Sequence, residues 1–401
     1  MNLFLLATFV YRFANGLLFL AVAWNLVRSS GGGAMALALS AIFGFLPAVV
    51  AAPLARRLLE RVDICKLTLW GIAALCACAL VFAPLLHMSQ AVLAVNFMVL
   101  SIFFLLEGAW DALLAVIVNR LPSDRGDKLN SRQSAATQAG LMLGGLPLGL
   151  LIRHGGNETP FFAAAALYVV TLLLFALPAL RRVTTSSERK LSQETNAGRT
   201  DTRDVQTRPL SWATLATLSL VWPCLTLVNM VMPLVANAQG QGTVEHAALL
   251  DASIGLGMAC VGVAYEKLTF LPPRSQRHVI ALVAAFIPLP FVALFTLAYQ
   301  LPILCATFFL CGIGFGSLRV SVRKHLIVAQ PAHRVGQIVA SCNAYGFPIL
   351  ALLAFAYARS WELGPFVPLG AFCTIAIVGV AASLGTTTRD HLRGQSASDA
   401  G

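Results

Sequence analysis

The sequence predicts an all-α integral membrane protein with twelve transmembrane helices in two six-helix bundles. Three observations predict this fold class. Of the 401 residues, 58% are hydrophobic and only 11% are charged, which is about half the charged fraction of a soluble domain. The apolar residues form blocks of about 20, the length that crosses a hydrocarbon core of about 30 Å. The layout of helices and loops in the first half also recurs in the second half.

Each apolar block predicts one membrane-spanning helix. The first block has no basic start and no small-residue cleavage site, so we interpret it as a spanning helix and not as a signal peptide. In chain order, the predicted spans are residues 3–27, 34–55, 65–86, 90–118, 131–153, 159–180, 211–234, 246–268, 278–299, 301–322, 336–358 and 364–385.

An internal repeat divides the chain into two bundles. A shift of 209 residues carries Pro122–Arg125 onto Pro331–Arg334, and each segment precedes the fifth helix of its half. Parallel six-helix repeats of this kind are typical of one large class of transporters. We therefore predict an N-terminal bundle (1–180), a cytoplasmic linker (181–210), a C-terminal bundle (211–385) and a cytoplasmic tail (386–401). The linker has few large apolar residues, which indicates a tether or, alternatively, a regulatory segment.

The charge distribution predicts the orientation of the chain. A net charge of +11 would suit a nucleic-acid partner, but the positions of the charges argue against one. Most of the 28 Lys and Arg residues fall in loops and helix ends on one side of the spans, as the positive-inside rule requires. We expect a multi-pass membrane protein with both termini in the cytoplasm and no nucleic-acid partner.

The cysteines and other reactive side chains indicate no metal, cofactor or enzyme chemistry. The nine cysteines are scattered through apolar blocks, without the spacing of a zinc site or a disulfide framework, and we interpret them as small hydrophobic residues. No nucleophile elbow, phosphate-binding loop or metal-binding cluster is present in the sequence. We therefore predict no cofactor and no enzymatic activity.

Two carboxylates in the fourth span are the main candidates for function. Residues 103–120 read FFLLEGAWDALLAVIVNR, and the spacing of four between Glu107 and Asp111 places both acids on one helical face. An ionisable residue at this depth is costly and usually marks an ion or substrate pathway. Arg12 lies about 14 Å into the first span, between Asp111 at about 10 Å and Glu107 at about 16 Å.

This arrangement predicts that Arg12 pairs with either acid. Two acids that share one cation titrate as a coupled unit, and release of one acid during helix movement would let it take up a proton. The alternatives are a static ion pair and direct substrate contact without protons. The repeat aligns Arg12 with Val221, Glu107 with Gly316 and Asp111 with Val320, so we expect the second half to lack coupling charges and to supply mainly substrate surface.

Polar and adaptable side chains near these charges are the candidate substrate contacts. A helix–helix hydrogen bond is the alternative for Asn15, and packing is the alternative for the residues of the second half. Asp251 lies near the outer end of the eighth span, where we expect it at the membrane interface or, alternatively, gating the outer mouth. The candidates are Asn15, Asn96, Trp110, Trp222, Asn229, Met230, Asn343 and Tyr345.

Several motifs resemble the major facilitator superfamily, in particular its siderophore-exporter branch and the related macrolide efflux pumps. Tyr11-Arg12-Phe13 with Asn15-Gly16 resembles the first helix of that branch, and Trp110-Asp111 resembles its fourth helix. Gly144-Gly145 with Pro147 and Gly149 is similar to the antiporter motif of the fifth helix, although close helix packing explains these glycines equally well. The run Ala329–Gln337 resembles the loop before helix eleven, but its Arg precedes the Gly. Arg56 stands where the family usually has an acid between helices two and three.

This resemblance implies a two-bundle, alternating-access transporter, most commonly a proton-driven exporter. We predict a monomer in the lipid bilayer of a bacterial inner membrane that exports a small molecule, a siderophore or alternatively an amphipathic drug, across that membrane by exchange with protons. Uptake by the same fold is less favoured, because the interior has few of the polar side chains that sugar importers need. A membrane enzyme or a sensor has no supporting motif.

Overall fold

The computed structural model is helical throughout the part of the chain that it describes. It describes residues 2–29, 34–118, 121–177, 210–239, 243–268, 271–296, 300–330, 332–360, 363–364 and 366–398. Within these ranges there are fourteen helices. They are α1 (Asn2–Ser29), α2 (Ala34–Arg61), α3 (Ile64–Leu85), α4 (Ser89–Val118), α5 (Ser123–Leu143), α6 (Leu148–Gly155), α7 (Thr159–Ala176), α8 (Trp212–Gln239), α9 (Val244–Leu268), α10 (Pro273–Ala284), α11 (Leu289–Thr296), α12 (Leu301–Ala329), α13 (Ala332–Arg359) and α14 (Phe366–Ser398).

These helices correspond to the twelve predicted spans. Two spans are interrupted by turns that contain proline: α5 and α6 form the fifth span, and α10 and α11 form the ninth. A proline removes a backbone donor and blocks the preceding helical turn, which accounts for both breaks. Ten of the helical stretches in the described residues are long and apolar enough to cross a membrane, and shorter apolar stretches at Leu37–Val50 and Phe366–Ala381 belong to the second and twelfth spans.

One predicted boundary was wrong in a way that matters for the site. The tenth span was predicted to end at residue 322, but α12 continues to Ala329. Arg323 therefore lies within the helix, one turn beyond Arg319, and not in the cytoplasmic loop that was predicted to follow. The side chains of 51–57 and of 331–333 and most of the linker (181–209) lie outside the described residues, so the predictions made for them stay predictions.

Glycines allow the helices of each half to approach one another closely. A Cβ atom on Gly140 would lie 2.6 Å from the carbonyl oxygen of Phe9 and 2.8 Å from Cβ of Arg12, which brings α5 against α1. Gly144 meets Phe13 on the same helix in the same way. The close-packing interpretation of these glycines is confirmed by this geometry.

The two halves meet along two pairs of helices. α2 packs against α13, and α5 packs against α9. At the second contact, the hydroxyl of Ser131 donates a hydrogen bond to the carbonyl oxygen of Gly262, and a Cβ on Gly262 would lie 2.6 Å from Cβ of Ala135. The functional site lies between these two contacts.

Candidate functional site

Among the residues that the structure describes, two of the cavities between the halves contain predicted site residues. The main cavity has a volume of about 150 Å³ and is lined from α1, α2, α4, α5, α8 and α9, with Phe19, Asn96, Phe103 and Asp251 in its wall. The charged cavity has a volume of about 40 Å³ and is lined from α4, α8, α12 and α13. Trp222 lines both cavities and therefore lies where the two adjoin.

Arg12 and Glu107 form an ion pair inside the first half. Nη1 of Arg12 donates to Oε1 of Glu107, and the two side chains are only 1% and 3% exposed. The guanidinium carbon also lies 5.3 Å from the ring centre of Tyr11 and 5.5 Å from that of Phe103. These contacts tie α1 to α4 and compensate part of the cost of burying both charges.

Asp111 and Arg323 form a second ion pair, and this one joins the two halves. Nη2 of Arg323 donates to Oδ1 of Asp111. Nη1 of Arg323 donates to Oε1 of Gln133 at 3.0 Å. A single guanidinium of α12 therefore holds α4 and α5 of the opposite half.

Arg319 is a third arginine at the same site. Its guanidinium carbon lies 5.0 Å from the ring centre of Trp222, and its Nη1 has no hydrogen-bond partner in the part of the chain that the structure describes. The charged cavity is lined by two acids, Glu107 and Asp111, and by two arginines, Arg319 and Arg323. Arg12, which is paired with Glu107, is the remaining one of the three arginines near these acids.

The predicted pairing of Arg12 with one of the two acids is confirmed for Glu107. The expectation that the second half lacks charges at this site was wrong, because Asp111 is paired with Arg323. The repeat aligns the two acids with Gly316 and Val320, whereas Arg319 and Arg323 lie three residues further along α12.

Several predicted substrate contacts do line a cavity. In the main cavity, Asn96 donates to the hydroxyl of Ser40 at 3.4 Å, and Asn229 and Met230 lie in the wall contributed by α8. Asn343 lines the charged cavity. The structure brings these residues and Trp222 to the site but does not test whether they bind substrate.

Three predicted contacts lie elsewhere. Asn15 accepts a hydrogen bond from the hydroxyl of Tyr168 at 2.7 Å, so it belongs to the contact between α1 and α7. Trp110 stacks on Tyr11 with a centroid distance of 4.8 Å, and it is fully buried in the first half. Tyr345 is 71% exposed and lines neither cavity. For Asn15 this is the alternative that the sequence left open, a helix–helix hydrogen bond. For Trp110 and Tyr345, residue type does not reveal the direction in which the side chain points.

Asp251 was expected at the membrane interface but is only 7% exposed and lines the main cavity. A signal in the sequence could have placed it. Asp251, Gly255 and Gly262 are separated by four and seven residues, which puts them on one helical face, and both glycines pack tightly against α5. The small residues thus mark the buried side of α9, and Asp251 shares that side.

Comparison with known proteins identifies the class to which this fold and site belong. A family model described as Major Facilitator Superfamily matches residues 4–355. The chain therefore belongs to this superfamily and is a multi-pass membrane transporter and not an enzyme. No curated protein sequence matches it.

Solved structures of transporters are similar over nearly the whole chain. A POT family transporter in complex with a thioalcohol-conjugated peptide has a TM-score of 0.63 at 11% identity, covering 96% of this chain and 95% of that one. The human organic anion transporter MFSD10 has a TM-score of 0.62 at 15% identity, with coverage of 94% and 98%. FucP in the outward conformation has a TM-score of 0.60 at 14% identity, with coverage of 95% and 98%. At these identities the likeness concerns the fold.

Proposed function

We propose that this protein is a proton-coupled secondary transporter that exports a small molecule across the inner membrane by alternating access. The observation that carries the proposal is the ion pair between Asp111 and Arg323, because its two partners belong to different halves. Alternating access requires the halves to rock against each other, and this movement must separate the two charges.

Protonation of Asp111 provides a way to separate them. An ionised carboxylate that loses its partner in a low-dielectric site is costly to leave behind. A neutral carboxylic acid is much cheaper to bury, so proton uptake would favour separation of the halves at this end. Gln133 also belongs to the first half and accepts a hydrogen bond from Arg323, so separation of the halves would break that bond as well. Arg319 would supply a second cation to the charged cavity.

The proposed role of the Arg12–Glu107 pair differs from that of the Asp111–Arg323 pair. Both partners belong to the first half, so rocking of the halves need not break it. We propose that this pair keeps α4, the helix that carries both acids, in register with α1. A static role for both pairs is the alternative, and it predicts that neutralising Asp111 leaves transport intact.

The main cavity is the proposed substrate site. Its wall is mostly apolar, with aromatic, methionine and amide side chains, which suits an amphipathic molecule. The resemblance of the first and fourth helices to siderophore exporters makes a siderophore the first substrate candidate. An amphipathic drug is the second candidate, favoured by the apolar wall, and uptake is a less supported alternative. Residues of one chain line both cavities, so a monomer suffices.

Transport by Asp111→Asn in inverted membrane vesicles tests the proposal. An acid-inside pH gradient is imposed, and accumulation of a radiolabelled catecholate siderophore and of ethidium is measured separately. We expect gradient-driven accumulation of one of them by the wild type and its loss in Asp111→Asn, with normal amounts of folded protein. Glu158→Gln, which changes an exposed carboxylate, is the control and should transport normally.

Three outcomes would contradict the proposal. Transport at the wild-type rate by Asp111→Asn would show that transport does not need this carboxylate. Accumulation that does not depend on the pH gradient would show that transport is not coupled to protons. Vesicles that accumulate neither compound would contradict export of both substrate classes.

A further inference from the structure

Asp251 is a buried carboxylate for which the coupling scheme has no use. It is 7% exposed, and it is the one charged side chain among the described residues that line the main cavity. Within the described part of the chain, no hydrogen bond or ion pair reaches it. An uncompensated charge in such a place is costly and usually has a functional reason.

The surroundings of Asp251 are aromatic and apolar. Phe19 and Phe103 meet edge to face with their ring centres 5.1 Å apart, and Phe103 meets Trp222 in the same way at 5.9 Å. All three rings line the main cavity, together with Met142, Met230 and Met232. Aromatic faces attract organic cations, and methionine adapts to ligands of different shape.

These groups do not suit an inorganic cation. Ca²⁺ takes six to eight oxygen ligands, and transition metals prefer clustered His, Cys and carboxylate side chains. No group of three or more such residues occurs among the residues described. One carboxylate within an aromatic wall instead matches a single positive charge carried on an apolar body.

We propose that the main cavity binds a small organic cation with an apolar body, such as an aromatic ammonium compound, and that Asp251 is its counter-ion. This inference rests on the proposed function, since it treats the main cavity as the substrate site, and it favours the drug candidate over the siderophore. Arg319 lies against Trp222 and lines the charged cavity, so its positive charge would repel the ligand's cationic end toward Asp251.

Ligand binding to the purified protein, without any gradient, tests this. Benzyltrimethylammonium is the probe, and benzylsulfonate is an anion of similar size with the opposite charge. Affinity is measured by quenching of tryptophan fluorescence, since Trp222 lines the cavity, and by isothermal titration. We expect the wild type to bind the cation and not the anion, and Asp251→Asn to bind the cation at least about tenfold more weakly.

Matched variants separate a counter-ion from a structural role. Asp251→Glu keeps the charge and should keep most of the affinity. Glu245→Gln changes an exposed carboxylate on the same helix and should bind like the wild type. Removing an unpaired buried charge should not destabilise the protein, so Asp251→Asn should unfold at or above the wild-type temperature, and the cation should raise the unfolding temperature only in proteins that keep the carboxylate.

The result that would overturn the inference is equal cation affinity in wild type and Asp251→Asn, or equal binding of the anion by the wild type. If Asp251 only takes up and releases protons, the wild type and Asp251→Asn would bind the cation with equal affinity. Asp111→Asn should retain cation affinity while it loses gradient-driven transport. Failure of the coupling scheme would therefore leave this binding result untouched, and failure of cation binding would leave the coupling scheme standing.

Discussion

Arg12 and Glu107 show at the scale of single residues how a charge is kept inside an apolar bundle. The guanidinium is 1% exposed, and it has one carboxylate partner and two aromatic neighbours. Loss of one partner would leave the other charge buried and unpaired, which is far more costly than loss of the pair as a whole.

Removal of the carboxylate alone should therefore destabilise the protein. We expect Glu107→Gln to lower the free energy of unfolding by about 3–5 kcal/mol, because Arg12 then lacks its counter-charge. The double variant Arg12→Met with Glu107→Leu should recover most of that loss, since apolar residues fill the same space. Thermal unfolding in detergent measures both, and a Glu107→Gln protein as stable as the wild type would show that the pair contributes little.

The pair between Asp111 and Arg323 leads to a different prediction, because its partners come from opposite halves. Exchange of the two charges, Asp111→Arg with Arg323→Asp, should restore part of the transport that each single change removes. The rescue will be partial, since Gln133 then faces an acid instead of a guanidinium. Vesicle transport measures it, and the exchange of Arg12 with Asp111, which do not pair in the structure, is the matched control that should give no rescue.

Helix contact through glycine is the feature that matters at the scale of elements. A Cβ on Gly144 would lie 2.9 Å from the backbone nitrogen of Leu17 and even closer to Phe13. These are backbone atoms, so a side chain at this position cannot be accommodated by a rotamer change. α1 and α5 would have to move apart, and Arg12 would move with α1.

Gly144→Ala should consequently reduce stability and transport together. We expect an unfolding free energy lower by about 1–3 kcal/mol, the usual cost of overpacking. Gly370→Ala is the matched control, because a Cβ there meets nothing within 4 Å, and alanine is the better helix former. Equal unfolding temperatures for the two variants would contradict the close contact between α1 and α5.

The two halves and their orientation in the bilayer are properties of the whole molecule. The halves meet through α2 with α13 and α5 with α9, and the Asp111–Arg323 pair lies between these contacts. The acids and arginines of the charged cavity lie in the parts of α4 and α12 that approach the ends rich in Lys and Arg. By the positive-inside rule we expect that end to be cytoplasmic, and we infer that the pair holds the two halves together there.

Reporter fusions test this orientation. Green fluorescent protein fused after residue 401 should fluoresce, and alkaline phosphatase at the same position should be inactive, because both termini are expected in the cytoplasm. Alkaline phosphatase fused in the loop between α3 and α4 should be active. The reverse pattern would invert the membrane orientation and the direction of transport proposed here.

The sequence by itself determined the membrane class and the helical fold with its twelve spans, and it singled out Glu107 and Asp111 as candidates. These features follow from hydropathy, length and the cost of charge in an apolar helix, which depend only on local sequence. Asn96, Asn229 and Met230, which were candidates for substrate contact, line the main cavity.

Only the tertiary structure decided which charges meet. Asp111 and Arg323 are 212 residues apart, and Arg323 was interpreted as part of a cytoplasmic loop because α12 is longer than its apolar stretch. Asn15, Trp110 and Tyr345 line neither cavity, because the sequence does not show which side of each helix faces the other half. Asp251 entered the cavity because glycines on its face bring α9 against α5. Which helices of the two halves contact each other is determined by long-range packing, and no local sequence pattern encodes it.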